Sequence, residues 1–214
     1  MLQNKVKNVV ILFEQSGTFK KEFKKLNINA IDIDIENKFN QTDIIIDIFK
    51  ELENNDFIEY LNSFDLVLAF FPCTWFSNYN KLIFSDKWKN YKNMDENEIK
   101  EYKNKRMLQR EFAVYNLFKL INSIKKPLVI ENPNSSYIKE LLGEPDMKHS
   151  RNIYGDYMKK PTFYYCFNGV FIDEMNKITT NTNNSVEKLS GIKRSLISSE
   201  YAENFVKHIK IIKR

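Results

Sequence analysis

Two short strings carry the side chains best suited to chemistry. Residues 71–77 (FPCTWFS) contain Cys73, and residues 130–133 (IENP) contain Glu131. Each string directly follows an apolar run typical of a buried strand, so a thiol and a carboxylate are predicted at the carboxyl ends of two strands. Ligands of open α/β sheets bind at that edge. A thiol there is a candidate nucleophile, and the carboxylate is a candidate acid, base or base-reading group.

Cys73 differs from an ordinary buried cysteine in what surrounds it. Most free cysteines are small apolar core residues. Cys73 instead follows Pro72 at a strand end, with the hydroxyls of Thr74 and Ser77 nearby. A thiolate needs a positive end or donors beside it, and the backbone amides of this loop can supply them. Cys166 lies in an aromatic strand-like run and is interpreted as structural.

Glu131 follows Leu-Val-Ile and is therefore expected to be poorly solvated, which suits a role in proton transfer. The amide of Asn132 can both donate and accept hydrogen bonds, and Pro133 stiffens the turn. The alternative is structural, a capping cluster in front of a short helix that starts near Ser135.

The rest of the chain predicts strands that alternate with helices. Strands are expected over 6–13, 29–35, 43–48, 66–71 and 127–130, and helices over 18–26, 56–63, 98–124, 135–142 and from 198 onward. This alternation predicts a doubly wound, mainly parallel α/β sheet in a single domain that spans residues 1–214. Residues 161–172 predict a β-hairpin with an Asn-Gly turn, and 176–190 a polar loop.

Three polar features follow the first three predicted strands. The turn after the first strand, residues 13–18, has a small residue at its bend, Gly17, which lets backbone amides approach a ligand. Asp34 ends the second strand where doubly wound folds place a carboxylate against ribose. Asp47 could meet a cofactor base. The alternatives are a plain turn, a solvated strand edge for Asp34 and a helix cap for Asp47.

Composition sets the broad class. The chain has 214 residues, 43% of them hydrophobic and 29% charged, which is typical of a globular protein rather than a disordered one. A net charge of +5 permits nucleic-acid binding without requiring it. Two cysteines without metal-like spacing indicate a reducing, cytoplasmic setting and no metal site. No secretory signal or membrane-spanning run is evident, and a monomer or small homo-oligomer is expected.

The segment 78–110 interleaves basic and aromatic residues, among them Lys87 and Trp88. Such a mixture suits phosphate contact and base stacking. Acidic residues dilute its charge, however, so a solvated helix face with an unusual loop is the stronger default.

Taken in order, these motifs resemble the catalytic core of DNA cytosine-5 methyltransferases. The likeness is greatest to short, phage-encoded proteins of that superfamily, which lack a large target-recognition domain. The matching strings are Glu14-Gln15-Ser16-Gly17, Pro72-Cys73-Thr74, Ile130-Glu131-Asn132-Pro133 and Arg194-Ser195. The resemblance covers roughly the whole chain and implies a Rossmann-like methyltransferase fold with a reduced hairpin and loop over 161–190.

The resemblance implies S-adenosylmethionine as cofactor and a cytosine as substrate, in DNA or in a nucleotide. Cys73 would add to carbon 6 of the ring, and Glu131 would hold ring nitrogen 3 and supply a proton, with Asn132 beside it. The cofactor-binding residues would be Phe13, Glu14, Ser16, Gly17, Asp34, Asp47 and Pro72. The substrate-binding residues would be Thr74, Ser77, Lys87, Trp88, Lys159, Lys160 and Arg194.

The chain departs from that family in ways that leave the substrate open. The first loop keeps a single glycine, Gly17, and the paired arginines of the family have no clear equivalent, with Arg151, Lys159 and Lys160 the nearest basic residues. Three alternatives for the substrate stay open: DNA read with low specificity, single-stranded nucleic acid, and a free nucleotide. The alternatives are a pyrimidine-modifying enzyme with another cofactor, and a non-catalytic phage binding or counter-defence protein. The resemblance to phage-encoded enzymes implies a role in DNA modification or restriction-modification, in the cytoplasm of a host bacterium.

Overall fold

A computed structural model describes residues 6–77, 82–85, 88–178 and 196–212. Its centre is a seven-stranded sheet with the order β3-β2-β1-β4-β5-β7-β6. The strands are β1 (Asn8–Leu12), β2 (Asn29–Asp34), β3 (Ile44–Ile45), β4 (Leu66–Phe70), β5 (Leu128–Pro133), β6 (Met147–Ser150) and β7 (Pro161–Phe167). The first five are parallel, and β7 is antiparallel to both β5 and β6. The prediction of a mainly parallel α/β sheet is confirmed.

Helices cover both faces of this sheet. They are α1 (Thr18–Lys25), α2 (Ile48–Glu51), α3 (Asn55–Asn62), α4 (Glu96–Ser123), α5 (Ser136–Leu142) and α6 (Ser199–His208). One apolar core joins the sheet to α2, α3, α4 and α5, and a second joins it to α1 and α6. Phe19 of α1 and Phe205 of α6 meet in that second core, with ring centroids 5.6 Å apart. Because both faces are covered, β1 and β4 are nearly continuous apolar runs.

The strand order reverses between β1 and β4. The chain leaves β1 toward β2 on one side and later returns to β4 on the other side. Crossovers that diverge in this way leave a crevice outside the carboxyl ends of the two strands. The loop after β1 and the loop that contains Cys73 therefore lie side by side.

The structure contains the turn of the predicted hairpin over 161–172, but the strand after the turn pairs with a different strand from the one expected. Asn168 and Gly169 both have positive φ, 60° and 81°, as a tight Asn-Gly turn requires. The strand after the turn, β8 (Val170–Ile172), nevertheless pairs with β9 (Ile209–Ile211). One edge of β7 pairs with β5 along its whole length; on the other edge β6 pairs with residues 161–164, and beyond it Asp146 Oδ2 accepts a hydrogen bond from the amide of Cys166 at 2.7 Å.

The last helix is shorter than its apolar spacing predicts. It ends at His208, and residues 209–211 form β9 rather than another helical turn. The amide of Ile212 donates to the carbonyl of Gly169 at 2.8 Å, which fixes the segment against β8. Within the described ranges, no helix has the length and apolar character needed to cross a membrane.

Candidate active site

A cavity of about 390 Å³ lies at the point where the strand order reverses. This volume is within the range of small-molecule sites. Its walls are the segments that follow four parallel strands, together with Lys160 and two residues in front of α6. The lining residues are Phe13, Glu14, Gln15, Ser16, Asp34, Ile35, Glu36, Phe39, Phe70, Phe71, Pro72, Cys73, Thr74, Glu131, Lys160, Leu196 and Ile197.

One half of the cavity contains the Cys73 thiol. Cys73 opens a short 3-10 turn directly after Pro72, and its carbonyl accepts a hydrogen bond from the amide of Ser77 at 3.0 Å. Burial raises the pKa of the Cys73 thiol; the positive charge of Lys160 lowers it, and the negative charge of Glu131 raises it further. The reactivity of this thiol therefore depends on the two charged groups that share its cavity.

Glu131 presents an unsatisfied acceptor to the same space. The residue is 4% exposed at the end of β5. Its Oε1 atom is buried and accepts no hydrogen bond from any described residue. The nearest cation is Lys160, with Nζ 3.8 Å from that oxygen. Since leaving a buried acceptor unfilled costs free energy, a ligand that donates to Oε1 would be favoured there.

Asn132 lies behind the cavity and does not line it. Its side chain is fully buried, and Nδ2 donates to the carbonyl of Phe71 at 3.0 Å. This bond ties the end of β5 to the segment that leads into Cys73. Asn132 thus holds the two reactive strand ends together.

The other half of the cavity begins with the loop after β1. Phe13 has a φ of 62°, in a region that non-glycine residues seldom occupy, and its ring packs 5.3 Å from both Phe49 and Phe71. Glu14 Oε1 accepts hydrogen bonds from the amide, at 2.8 Å, and from the hydroxyl of Ser16. Its Oε2 atom is buried with no hydrogen-bond donor in the described part of the chain.

Gly17 supports this loop from outside the cavity. It has a φ of 69° and immediately precedes α1. A Cβ atom there would lie 2.9 Å from the Cβ of Gln41, so no larger residue fits without a shift. Gly17 closes the loop against the chain that follows β2 and does not itself line the cavity.

The two acids predicted to bind a cofactor lie in different places. Asp34 is 8% exposed, lines the cavity and accepts from the amide of Glu36 through Oδ1 at 2.8 Å. Asp47 instead caps α2, since its Oδ1 accepts from the amide of Phe49 at 3.1 Å. Of the two alternatives for Asp47, the structure contains the cap.

The residues of this half fit S-adenosylmethionine. That cofactor carries positive charge on its sulfonium and amino groups, and the unsatisfied buried Oε2 of Glu14 is a suitable partner for a cation. Asp34 can accept from a pair of ribose hydroxyls. Ile35, 61% exposed, and Phe39 provide apolar surface for a flat base at the rim.

The predicted substrate residues are dispersed. Thr74 and Lys160 line the cavity, whereas Ser77 and Lys159 do not. Trp88 is buried in a satellite cluster with Ile83 and Tyr91, away from the cavity lining. Lys87 and Arg194 lie outside the described residues.

Two arginines that the sequence prediction did not assign to the site lie beside the Cys73 turn. Arg106 stacks on Trp75, 4.2 Å from its ring centroid, and Arg110 lies 4.5 Å from Phe84 and 5.0 Å from Tyr137. Their Nε atoms are buried, and within the described ranges neither has a hydrogen-bond acceptor. The i,i+4 spacing of like charges on α4 was the available signal, because such a pair is unfavourable without an anion.

Leu196 and Ile197 also went unpredicted as cavity residues. They directly precede Ser198, which caps α6. They reach the cavity because α6 packs against α1. This packing joins distant parts of the chain, so no local sequence pattern indicates it.

Comparison with known proteins finds distant structural likeness and no family. No protein-family model and no curated protein matches the chain. A crystal structure of a mutant of DNMT2 from Spodoptera frugiperda is 15% identical, with a TM-score of 0.39, over 83% of this chain and 54% of that one. This chain thus spans about half the length of that structure.

Proposed function

We propose that this protein is an S-adenosylmethionine-dependent methyltransferase that acts on carbon 5 of cytosine. The observation that carries the proposal is the single cavity that Cys73, Glu131 and Lys160 share with Glu14 and Asp34. One half offers a nucleophile, an unsatisfied carboxylate and a cation. The other half offers two buried acids for a cationic, ribose-bearing ligand.

The chemistry of the first half suits addition to a pyrimidine. The thiol of Cys73 loses its proton to solvent and forms a bond to carbon 6, and the electron pair of the 5,6 double bond moves into the ring. The Glu131 carboxylate, after taking up a proton from solvent, donates it to ring nitrogen 3, which neutralises the developing negative charge. The positive charge of Lys160, which already lowers the pKa of Cys73, stabilises both the thiolate and the electron-rich ring.

S-adenosylmethionine, when bound, supplies the electrophilic methyl group that the activated carbon 5 accepts. The proton on carbon 5 is then lost to a water molecule, ring nitrogen 3 returns its proton to Glu131, the carbon–sulfur bond breaks, and the 5,6 double bond re-forms. Cys73 leaves as the thiolate, which Lys160 again stabilises, so the residue is regenerated for the next turnover.

The two arginines beside the Cys73 turn favour a substrate that carries phosphate. Arg106 and Arg110 are one helical turn apart and form no ion pair with any described carboxylate. Each guanidinium is held on an aromatic ring, which leaves its outer edge suited to a phosphate. A cytosine nucleotide or a single-stranded nucleic acid fits this arrangement better than a free base.

The direct test measures methyl transfer from labelled S-adenosylmethionine to cytosine-containing oligonucleotides and to deoxycytidine monophosphate. Cys73→Ser is expected to lower the rate by at least a thousandfold, since a hydroxyl is a far weaker nucleophile than a thiolate. Cys166→Ser is the matched control, because Cys166 lies on β7 outside the cavity lining. It is expected to keep the wild-type rate.

Two results would contradict the proposal. Full methyl transfer by Cys73→Ser would exclude covalent addition, and the absence of S-adenosylmethionine binding in calorimetry would exclude the cofactor. Trapping of Cys73 by a 5-fluoropyrimidine nucleotide without that cofactor would instead support a different pyrimidine-modifying enzyme.

A further inference from the structure

Lys20 is a buried cation next to the cofactor half of the cavity, but it does not line it. Its side chain, on α1, is 7% exposed. The Nζ atom lies 2.8 Å from Asp43 Oδ2 and 3.2 Å from Asp32 Oδ2, and it also donates to the carbonyl of Gln41. All three acceptors belong to β2 or to the chain that follows it.

The acids around Lys20 are closely connected. Asp32, fully buried on β2, donates its amide to Asp43 Oδ2 at 2.8 Å. Asp32 and the cavity residue Glu14 lie near enough that the charge of one disfavours the charge of the other. Burial and the charge of Glu14 raise the pKa of Asp32 to about 8, whereas Lys20 lowers it. Lys20 similarly opposes the effect of burial, which raises the pKa of Glu14.

Lys20 also connects the two loops that form this half of the cavity. Its bond to Gln41 fixes the loop after β2, and the side chain of Gln41 packs against Gly17 of the loop after β1. The same two loops meet again where the amide of Lys38 donates to Gln15 Oε1 at 3.3 Å. Removing Lys20 would release the first of these two contacts.

We propose that Lys20 is a positioning residue for the cofactor, which holds the two loops together through Gln41 and Asp43 and places a buried positive charge beside the cofactor half of the cavity without touching the ligand. This inference rests on the proposed function, because it takes S-adenosylmethionine as the ligand. The groups that act on Glu14 are Ser16 and Gly17 of its own loop and Lys20 of α1, and those that act on Asp32 are Glu14, Lys20 and Asp43.

The test is calorimetric titration with S-adenosylmethionine between pH 5.5 and 8.5. Binding of a cation requires ionised Glu14, so affinity should rise with pH through a midpoint. Lys20→Met removes a positive charge that favours ionisation, and we expect a tenfold or greater loss of affinity at pH 7 with the midpoint about one unit higher. Lys20→Arg keeps the charge and should keep the midpoint near that of the wild type.

The matched control is Lys25→Met. Lys25 is on the same helix, pairs with Glu22 at 2.8 Å and is 62% exposed, so its loss should leave the binding curve unchanged. Asp43→Asn provides a milder change of opposite sign. It removes a negative charge beside Lys20 at a 36% exposed side chain, and the midpoint should move to lower pH.

The outcomes separate the two proposals. If the wild type does not bind S-adenosylmethionine, the proposed function and the role of Lys20 both fail. If the wild type binds but Lys20→Met leaves both the affinity and the midpoint unchanged, only the role of Lys20 is overturned. Should Lys20→Met fail to fold, Lys20→Gln, which removes the charge but keeps a polar side chain, gives the same comparison with Lys20→Arg.

Discussion

At the scale of single residues, Cys73, Glu131 and Lys160 behave as one charge-coupled group. The carboxylate raises the pKa of the thiol and the ammonium lowers it, and both effects are strengthened because the cavity is partly shielded from water. The 3.8 Å separation between Lys160 Nζ and Glu131 Oε1 leaves both groups free to turn to a substrate. Substrate binding can therefore alter thiol reactivity without a large movement of the protein.

Removing the charge of Glu131 and removing the charge of Lys160 should move the pKa of Cys73 in opposite directions. Glu131→Gln removes a negative charge, so the thiolate forms more readily and the pKa of Cys73 should fall. Lys160→Met removes a positive charge, so the pKa of Cys73 should rise. The measurement is the pH dependence of iodoacetamide alkylation in a Cys166→Ser background, which leaves Cys73 as the one thiol.

Lys159→Met is the control for this pair, because Lys159 is exposed and does not line the cavity. Equal shifts in the Lys159 and Lys160 variants would contradict the assignment. The sequence offered both lysines as substrate contacts, and nothing in it distinguished them. Adjacent residues in extended chain point to opposite sides, so the register of the segment before β7 decided which one enters the cavity.

At the scale of elements, α4 matters for where it places Arg106 and Arg110. It begins with a capping box, in which Asp95 accepts from the amides of Asn97 and Glu98, and it packs its later turns into the core through Leu117 and Leu120. Those two anchors fix the rotation of the helix. Arg106 therefore lies against Trp75 of the Cys73 turn, and Arg110, one helical turn further along, lies against Phe84 and Tyr137.

Removal of these charges should weaken nucleic-acid binding in a salt-dependent way. Arg106→Gln and Arg110→Gln should each lower the affinity for a cytosine-containing single strand at low salt, and each should reduce the slope of log affinity against log salt by about one or less. Fluorescence anisotropy across a salt series measures both quantities.

Lys100→Gln removes a comparable charge from an exposed position of the same helix and should change neither quantity much. Deoxycytidine, which has no phosphate, should bind all variants alike. An equal loss of deoxycytidine binding in the arginine variants would place their effect on the fold instead. Affinity for deoxycytidine monophosphate then tells whether one phosphate is sufficient.

The elements differ in how far sequence could predict them. β1, α1, α4 and β5 have strong local patterns, and the structure contains them close to the expected bounds. β6 was missed because Met147–Ser150 is short and polar, and it becomes a strand only by pairing with the free edge of β7. β8 likewise pairs with β9, a partner about 40 residues later in the chain that no local sequence pattern indicates.

At the scale of the whole molecule, the reversal of strand order gathers the site from distant parts of the chain. Glu14 and Cys73 follow β1 and β4, whereas Asp34 and Glu131 lie in the last residues of β2 and β5. The sequence predicted this edge because each strand end was recognisable. Ile197 and Lys160 come from antiparallel or late segments whose position depends on tertiary packing. The part of the site built on local strand ends was therefore predictable, and the part brought in by docking was not.

Asp34 and Asp47 together test whether the cavity is a ligand site. Asp34 ends β2 and Asp47 follows β3, but only Asp34 lines the cavity. S-adenosylmethionine at 100 times its Kd should stabilise the wild type by about 2.7 kcal/mol and raise Tm by about 5–10 °C. Asp34→Asn should lose at least half of that rise. Asp47→Ala should start from a lower Tm, because loss of a helix cap costs about 1 kcal/mol, yet keep the full ligand-induced rise. Differential scanning fluorimetry with and without ligand measures both, and a rise abolished by Asp47→Ala but kept by Asp34→Asn would show that the cofactor lies elsewhere on the sheet edge.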